Sequence, residues 1–518
     1  MLKILKQKFS PANDEGDEYI PEETAEHLHD PHGGEHRPRN LGVRESLFHL
    51  DADWGTSLAY ILPLSLALTG HLAPIYMIII ALIMALVANC YKIVCRHNPD
   101  GGGVYSSLKK ISQFLAVVGA LLLITDYIVT VALSVSDSYH YLQIDHLFEG
   151  GVLSGLPELI KNNSAVIWTS LIIVVLGVIN WRGPHFSAKF AGIASASTFV
   201  LAGLLALLAL PYIPAGLANI GNFNQSILDV FRNTTGVLLA LSGVEAISNM
   251  TGIMKNPERT AKRALNIELF KVLFTTVVLG IAMNGLPANI TMHGEYNEQG
   301  TFVPETREEQ VLDFDCVVHS IATTINGSAY TCSTRTIIET RDDMLVEMGQ
   351  FLIPGQAGKV YGALIGLAYG MLLVFAGNTA MVGITNVTYA LSLDNELPSI
   401  YKKLNKKYGV PIAGLASAVI APLIVVLIVG SNVAALAALY AIGVVGAVTM
   451  NLAGTSIQMK GKEKLITGVG AIVMASLFIT LVFNKMEATI FAGIVLIIGL
   501  AARAIQKKFL AAPQQAAA

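Results

Sequence analysis

The sequence predicts an all-α membrane protein with twelve transmembrane helices. Three observations predict this fold class. Of the 518 residues, 53% are hydrophobic and only 14% are charged; long apolar runs recur along the chain; and lysine and arginine fall in alternate loops between these runs. A soluble domain carries about 25% charged residues, so most of this chain is expected to face the lipid bilayer. The net charge of -3 provides no basic surface, so nucleic acid is not an expected partner.

Each apolar run is long enough to form one transmembrane helix. The hydrocarbon core of a bilayer is about 30 Å thick, which requires about 20 apolar residues per helix. Runs of this kind predict twelve spans, at about residues 55–70, 73–95, 112–142, 164–180, 187–211, 228–253, 267–286, 358–392, 412–429, 433–458, 464–483 and 486–505.

The basic residues predict the orientation of these spans, because cytoplasmic loops carry an excess of lysine and arginine. Six segments between or after the spans are basic, and all six lie on one side if both termini are cytosolic. We therefore expect an integral protein of the cytoplasmic membrane with both termini in the cytosol. The basic residues of these segments are Lys92, Arg96, Lys109, Lys110, Arg182, Lys189, Lys255, Arg259, Lys262, Arg263, Lys402, Lys403, Lys406, Lys407, Lys460, Lys462, Lys464, Lys507 and Lys508.

Three further segments complete the predicted organisation. Residues 1–48 are polar and acidic and predict a disordered cytosolic tail, in which four loosely spaced histidines are weak evidence for a metal site. Residues 49–508 form the transmembrane domain, and residues 509–518 form a cytosolic C-terminal tail. Within the domain, residues 287–357 form one large external segment with eleven Asp and Glu residues against three Arg. Its Cys316 and Cys332 either form a disulfide, if the segment faces an oxidising compartment, or stay free thiols. The histidines of the tail are His27, His29, His32 and His36.

Two carboxylates lie inside runs that are otherwise apolar enough to cross the bilayer. They are Asp126 in span three and Glu245 in span six. A carboxylate at membrane depth costs roughly 2.5 kcal/mol or more unless it meets water, a cation or a partner. The first hypothesis is therefore a transporter whose buried acids bind a cation or a proton.

Spans one and six each contain a candidate helix break. The segments are Asp51–Ser57 and Leu241–Glu245, and Gly243 gives the second a flexible backbone. Transporters built from inverted repeats bind their substrate where a helix is interrupted in each half. Spans one and six are the equivalent helices of two five-helix repeats, so we predict a 5+5 inverted repeat. The alternative is that Gly55 and Gly243 are close-packing glycines.

Side chains that carry oxygen recur at helical spacing near these features. Residues three or four apart share one face of a helix, and hard cations prefer carboxylate, carbonyl and hydroxyl oxygens. Single hydroxyls are weaker evidence, because Ser and Thr often bond back to their own helix. The aligned residues are Asp53, Ser57 and Tyr60 on span one, Asp126, Thr130 and Ser134 with Tyr127 beside them on span three, and Ser242, Glu245 and Asn249 on span six; Tyr440 lies in span ten.

Several short segments together carry a family resemblance. They are Asp53-Trp-Gly-Thr-Ser-Leu-Ala-Tyr60, Pro99-Asp-Gly-Gly-Gly-Val-Tyr105, Asp126-Tyr-Ile-Val-Thr-Val-Ala-Leu-Ser134, Ser242-Gly-Val-Glu-Ala-Ile-Ser-Asn249, Lys255-Asn-Pro257, Ala376-Gly-Asn-Thr379 and Leu439-Tyr-Ala-Ile-Gly443. Over about residues 45–505 the chain resembles the amino acid–polyamine–organocation superfamily and, within it, the KimA-type potassium importers. The glycine loop and the Gly-Val-Glu segment are shared widely, whereas the spacings on spans one and three are more specific.

The resemblance implies a LeuT-like fold and proton-coupled potassium uptake without a cofactor. Glu245 would be the proton-coupling or gating acid, and Asp53 and Asp126 would be the carboxylate ligands of potassium. Ser242 stands where the potassium importers usually have threonine, which preserves the hydroxyl. The ion-site roles carried over fall on Asp53, Tyr60, Asp126, Tyr127, Thr130, Ser134, Ser242 and Tyr440.

The chain departs from the potassium importers in two ways. Those proteins usually carry a cytosolic nucleotide-binding domain after the last span, whereas this chain stops soon after Lys508. The regulation, and any homodimer built on that domain, are therefore left open. The external segment is also larger than expected. Both departures leave room for another substrate.

The alternative substrate is an amino acid or a polyamine. Amino acid carriers of this superfamily hold the substrate carboxylate on backbone N–H groups of the break in span one. Asp53 in this segment would repel a carboxylate, which argues against amino acids but not against a cationic polyamine. An enzyme is not expected, because no nucleophile–base pair or metal cluster is evident. A channel is less favoured, since buried acids in broken helices suit alternating access.

Overall fold

The computed structural model describes residues 39, 41–182, 185–311, 313–314, 316–317 and 332–516. Within these residues, eleven helical segments are long and apolar enough to cross a membrane. The chain is therefore an all-helical membrane protein in its main body. Most of the predicted tail of residues 1–48, including its four histidines, lies outside the described residues.

The helices are numbered in chain order. Their bounds are α1 Val43–Leu50, α2 Ser57–Thr69, α3 Ala73–His97, α4 Gly103–Lys109, α5 Gln113–Tyr141, α6 Asp145–Glu149, α7 Glu158–Asn162, α8 Ser164–Trp181, α9 His185–Ala209, α10 Ile213–Ala218, α11 Ile227–Val237, α12 Ala246–Met250, α13 Pro257–Ala282, α14 Ala288–Thr291, α15 Met344–Leu352, α16 Gln356–Leu393, α17 Ile412–Val429, α18 Val433–Gln458, α19 Gly461–Asn484 and α20 Met486–Ala516.

The first helical segment, Val43–His97, is 55 residues long and contains a sharp change of direction. Gly70 adopts φ +53°, in the region that favours glycine, and ends α2. A short 3₁₀ turn follows, and α3 begins at Ala73 with a proline in its first turn. Proline is favoured there because its missing N–H would have no partner.

The predicted break in span one is wrong in one respect. Residues Asp51–Gly55 form a π-helical turn between α1 and α2, so the helix is widened but not interrupted. The backbone groups that a π turn frees are satisfied locally. Thr56 Oγ1 donates to the Asp53 carbonyl at 2.5 Å, and the Ser57 hydroxyl donates to the Trp54 carbonyl. Because the Thr56 and Ser57 hydroxyls bond to the Asp53 and Trp54 carbonyls of the same turn, these carbonyls have partners and the turn stays helical.

The predicted break in span six is present. After α11 the chain forms a 3₁₀ turn at Leu238–Leu241, Ser242 is extended, and α12 begins only at Ala246. Gly243 adopts φ +86°, and a Cβ built on it would lie 2.7 Å from Asp53 Cβ. Trp54 Nε1 also donates to the Ala240 carbonyl at 3.0 Å. The π turn and the break are therefore packed directly against each other.

The central helix of the protein is α5. The most apolar part of α5 is 83% buried, whereas the corresponding part of α20 is only 11% buried. α5 packs against α16, α18 and α8. α20 thus lies at the periphery, and it continues through residues 509–516, where the sequence predicted a tail.

The external segment contains short strands that the all-α prediction did not include. β1 Gly294–Tyr296 pairs antiparallel with β2 Phe302–Pro304, and β3 Thr306–Gln310 pairs antiparallel with β4 Thr334–Ile338. Cys316 and Cys332 are joined by a disulfide, which decides between the two alternatives left open by the sequence. This segment contacts α2: Thr340 Oγ1 donates to the Pro63 carbonyl at 3.3 Å, and the Arg335 guanidinium donates to the Leu68 carbonyl near the end of the helix.

Candidate functional site

Three buried carboxylates are held by the π turn, the middle of α5 and the break before α12. Asp53 and Asp126 are 1% exposed and Glu245 is 3% exposed. Ser242 Oγ in the break donates to Asp53 Oδ1 at 3.4 Å. Asp126 lies within electrostatic reach of Asp53, and Glu245 lies within reach of both. The fold thus brings Asp53, 73 residues before Asp126, and Glu245, 119 residues after it, into one site.

α18 closes one side of this site. A Cβ built on Gly443 would lie 2.6 Å from Asp126 N, so the backbones of α18 and α5 are in close contact there. Tyr440 is three residues before Gly443 and therefore shares its face. The Tyr440 ring is 1% exposed and lies within electrostatic reach of the three acids.

The carboxylates have oxygen atoms that hydrogen bonds between described residues do not use. In most structures, buried polar groups have partners, and exceptions require an explanation. Here five such atoms belong to neighbouring residues of one site, which a positive ligand could occupy. Among the residues that the structure describes, the site atoms without a hydrogen-bond partner are Asp53 Oδ2, Asp126 Oδ1 and Oδ2, Glu245 Oε2 and Tyr440 Oη.

Tyr60 and Ser134 lie on the side of the site that carries the external segment. Both α2 and α5 run toward that segment, and Tyr60 and Ser134 are further along them than Asp53 and Asp126. Tyr60 Oη and Ser134 Oγ are 2.8 Å apart and form a buried hydrogen bond. This pair joins spans one and three above the acids.

Tyr127 contacts the opposite side of the site. Asn249 Nδ2 at the end of α12 donates to Tyr127 Oη at 2.6 Å. The glycine turn before α4 packs against the same region, since a Cβ on Gly103 would lie 3.2 Å from Ser248 Oγ. Thr130 is less available than its spacing suggested, because its hydroxyl donates to the Asp126 carbonyl at 3.0 Å.

The structure therefore divides the predicted residues into groups. Asp53, Asp126, Ser242, Glu245 and Tyr440 surround one buried position. The Tyr60–Ser134 pair and the Tyr127–Asn249 pair enclose that position from its two sides. Within the described residues, no group of three or more His, Cys, Asp or Glu side chains has the geometry of a metal centre.

The sequence reasoning missed Asp137. This residue continues the α5 stripe three positions after Ser134, is 1% exposed, and has no partner for Oδ2 among the described residues. Spacing alone could have identified it. Asp137 lies within electrostatic reach of Asp342 and Asp343 in the external segment. Burial, and then the nearby Glu347, raise the pKa of Asp343 to about 6.

A second set of missed residues lies on the other side of the π turn. Asp51, Glu268 and Lys271 are buried together, and Lys271 Nζ donates to Asp51 Oδ1. Glu268 and Lys271 fall in predicted span seven, where charged residues in an apolar run were a usable signal. The pairing of Lys271 with Asp51 joins positions 220 residues apart and leaves no local pattern.

Two comparisons with known proteins bear on this arrangement. A family model described as amino acid permease matches residues 55–509. The potassium transporter KimA of Bacillus subtilis (strain 168) is 23% identical to this chain over 478 residues, which are 85% of this chain and 67% of that protein.

Proposed function

Because this chain belongs to the amino acid permease family and is accordingly a membrane transporter and not an enzyme, we propose that it takes up potassium together with protons. The relative from Bacillus subtilis is a potassium transporter, which supports this substrate, and so does the chemistry of the site. The observation that carries the proposal is the convergence of Asp53 and Asp126 on one buried position, with three of their four carboxylate oxygens lacking a hydrogen-bond partner among the described residues.

We further propose twelve spans arranged as a LeuT-like 5+5 inverted repeat, in the cytoplasmic membrane with cytosolic termini. The 55-residue segment Val43–His97 would be about 80 Å long as one helix, which is more than twice the bilayer core. Two crossings that turn at Gly70 account for its length. The contact between the π turn and the break of span six supports equivalent positions for these two spans.

In the proposed mechanism a dehydrated potassium ion sits between Asp53 and Asp126. The Tyr440 hydroxyl and the Ser242 hydroxyl supply further oxygen ligands, and Thr130 contributes through its lone pairs. Asp126 neutralises the ion, which lowers the cost of bringing it to membrane depth. The Tyr60–Ser134 and Tyr127–Asn249 pairs separate in turn as access alternates.

Glu245 is proposed as the group that carries the proton. It follows the flexible Gly243 and faces the same position as the other two acids. A proton that Glu245 takes up from outside and releases inside would change the charge of the site. Proton transfer would thereby be linked to the break in span six, where Glu245 lies.

An amino acid or polyamine permease remains the second candidate. The description of the matching family model favours it. Asp53 disfavours an amino acid carboxylate at this position, so a cationic polyamine is the stronger form of this alternative.

The test uses the purified full chain in liposomes under an inward proton gradient. Potassium, rubidium, amino acids and polyamines are each supplied, and uptake is measured with and without the gradient. We expect saturable uptake of potassium and rubidium that the proton gradient stimulates. Uptake of an amino acid or polyamine, with no transport of either alkali cation, would reject the potassium assignment.

Three variants test the residues. Asp126→Asn keeps the shape of the side chain and removes its charge, so we expect normal expression and loss of uptake. Asp145→Asn, on the external side and outside the spans, is the control and should keep uptake. Glu245→Gln should remove the dependence of uptake on the proton gradient. Normal uptake by Asp126→Asn, or unchanged gradient dependence in Glu245→Gln, would contradict these roles.

A further inference from the structure

A second cluster of buried charges lies beside the π turn and is not part of the cation site. Residues two apart on a helical turn point to nearly opposite sides, so Asp51 and Asp53 face away from each other. Asp53 faces Ser242 in the break, whereas Asp51 faces α9 and α13. Asp51 and Glu268 side chains are 0% exposed and Lys271 is 6% exposed.

Asp51 and Lys271 form a complete ion pair. Lys271 Nζ donates to Asp51 Oδ1, and Thr198 Oγ1 donates to Asp51 Oδ2 at 3.2 Å. Lys271 Nζ also lies 4.3 Å from the centroid of the Phe199 ring, which favours a cation there. Each oxygen of Asp51 therefore has a donor within hydrogen-bond distance, and Thr198 shares its one proton between Asp51 and the Ser195 carbonyl at 2.9 Å.

Glu268 is not satisfied in the same way. Its Oε1 lies 3.5 Å from Lys271 Nζ, and neither of its oxygens accepts a hydrogen bond from a described residue. An ionised carboxylate buried without donors costs several kcal/mol, and such a group usually takes up a proton instead. The cluster holds two carboxylates and one ammonium, so one added proton makes it neutral.

Two polar groups lie close to Glu268: Lys271, one turn along on α13, and the Tyr369 hydroxyl on α16. Lys271 in turn contacts Asp51 of the π turn and the Phe199 ring of α9, and Thr198 of α9 contacts Asp51. A groove of about 600 Å³ between α9 and α13, lined mainly by apolar side chains of the spans, reaches Lys271.

We propose that Asp51, Glu268 and Lys271 form a second proton-binding site, in which Glu268 gains and loses the proton. With Glu268 protonated, Lys271 pairs with Asp51 and holds the π turn against α13. When the proton leaves Glu268 for solvent, the ammonium is shared between two carboxylates and the hold on Asp51 weakens. Gly55 makes this close arrangement possible, since a Cβ there would lie 2.8 Å from Lys271 Nζ.

The consequence is coupling between this proton and the cation site, because Asp51 and Asp53 belong to one turn. This part of the inference rests on the proposed cation transport. The proton site itself does not, and the two are tested separately.

The first test measures the proton site without transport. Infrared difference spectra of the reconstituted full chain between acid and alkaline pH should show the carbonyl stretch of a protonated carboxylic acid. In Glu268→Gln we expect one component of this signal to disappear, while Glu245→Gln removes a different component. A spectrum in Glu268→Gln identical to that of the unmodified chain would overturn the proton site, whatever the substrate proves to be.

The second test measures coupling. Glu268→Gln imitates the protonated residue and keeps the Lys271–Asp51 pair, so the protein should fold and take up rubidium down a rubidium gradient. We expect the pH dependence of this uptake to flatten at least threefold relative to the unmodified chain. Full pH dependence in Glu268→Gln, with its infrared component absent, would reject the coupling and leave the proton site standing.

A third measurement checks the ion pair on which the cluster depends. Lys271→Met alone leaves two buried carboxylates without an ammonium, and we expect a loss of the monodisperse protein. Asp51→Asn combined with Lys271→Met removes both charges and should restore much of it. If the single and double variants are equally unstable, or if Lys271→Met is as stable as the unmodified chain, the pairing is contradicted.

Discussion

Gly243 provides the sharpest test of how the site is assembled. We predict that Gly243→Ala destabilises the protein and abolishes transport together. Alanine at φ +86° costs about 1–2 kcal/mol in backbone strain. Its Cβ would lie 2.7 Å from both the carbonyl carbon and the Cβ of Asp53 and would also overlap Trp54 N. The two spans must separate by several tenths of an ångström, and such overpacking costs about 1–3 kcal/mol.

The expected total loss is about 2–5 kcal/mol in the free energy of unfolding. The measurement is the thermal midpoint of purified protein by size-exclusion chromatography, alongside rubidium uptake in liposomes. Gly493→Ala is the matched control, because this glycine lies within α20 and a Cβ there meets nothing within 4 Å. Alanine is favoured over glycine within helices, so the control should keep or slightly raise the midpoint. A Gly243→Ala protein with the midpoint of the control would refute the close contact between the π turn and the break.

The remaining predictions concern the Tyr60–Ser134 pair, the external segment and its disulfide. Tyr60→Phe leaves the Ser134 hydroxyl without its 2.8 Å partner and should lower the free energy of unfolding by about 1–3 kcal/mol. In a double-mutant cycle, Tyr60→Phe combined with Ser134→Ala should cost less than the sum of the two single variants. Additive costs would contradict the hydrogen bond. The pKa of Asp343 rises from 3.8 to about 6 on folding. Its contribution to the free energy of unfolding is therefore most favourable below pH 3.8 and is lost as the pH rises to about 6. Asp343→Asn should be more stable than the unmodified chain at pH 8 by at most about 3 kcal/mol and equal to it near pH 4. Equal thermal midpoints at both pH values would contradict the burial of Asp343. Replacing Cys316 and Cys332 by serine removes a crosslink between residues 16 positions apart and should cost about 3 kcal/mol, and an unchanged midpoint in the absence of reductant would count against the bond.

The sequence was sufficient to place most of the long helices. Spans three and eight were predicted at about 112–142 and 358–392, and the structure has helices at Gln113–Tyr141 and Gln356–Leu393. Long apolar runs permit this accuracy because membrane helices satisfy their own backbone hydrogen bonds. Spacing of three and four residues also placed Asp126, Thr130 and Ser134 on one helix face.

What the sequence did not reveal depends on contacts between distant segments. The π turn at Asp51–Gly55 has no strong local signature, and its two acids contact residues that are distant in sequence: Ser242 donates to Asp53 and Lys271 donates to Asp51. The strands of the external segment were missed because each is only three to five residues long, too short for a pattern of alternation. Lys271 was overlooked because its partner lies 220 residues away.

The balance of buried charge in the spans constrains the substrate more strongly than any one residue. Among the described residues, six acids are buried within the spans against one lysine. After Lys271 pairs with Asp51, five acids remain, and protons or cations must neutralise much of that charge for the protein to be stable in a bilayer. An anionic substrate would add to this uncompensated negative charge, and a zwitterionic amino acid would leave it unchanged. A monovalent cation at Asp53 and Asp126 reduces the negative charge, and each proton on the remaining acids reduces it further. This is the physical reason to place cation and proton in one transport cycle. The six acids are Asp51, Asp53, Asp126, Asp137, Glu245 and Glu268.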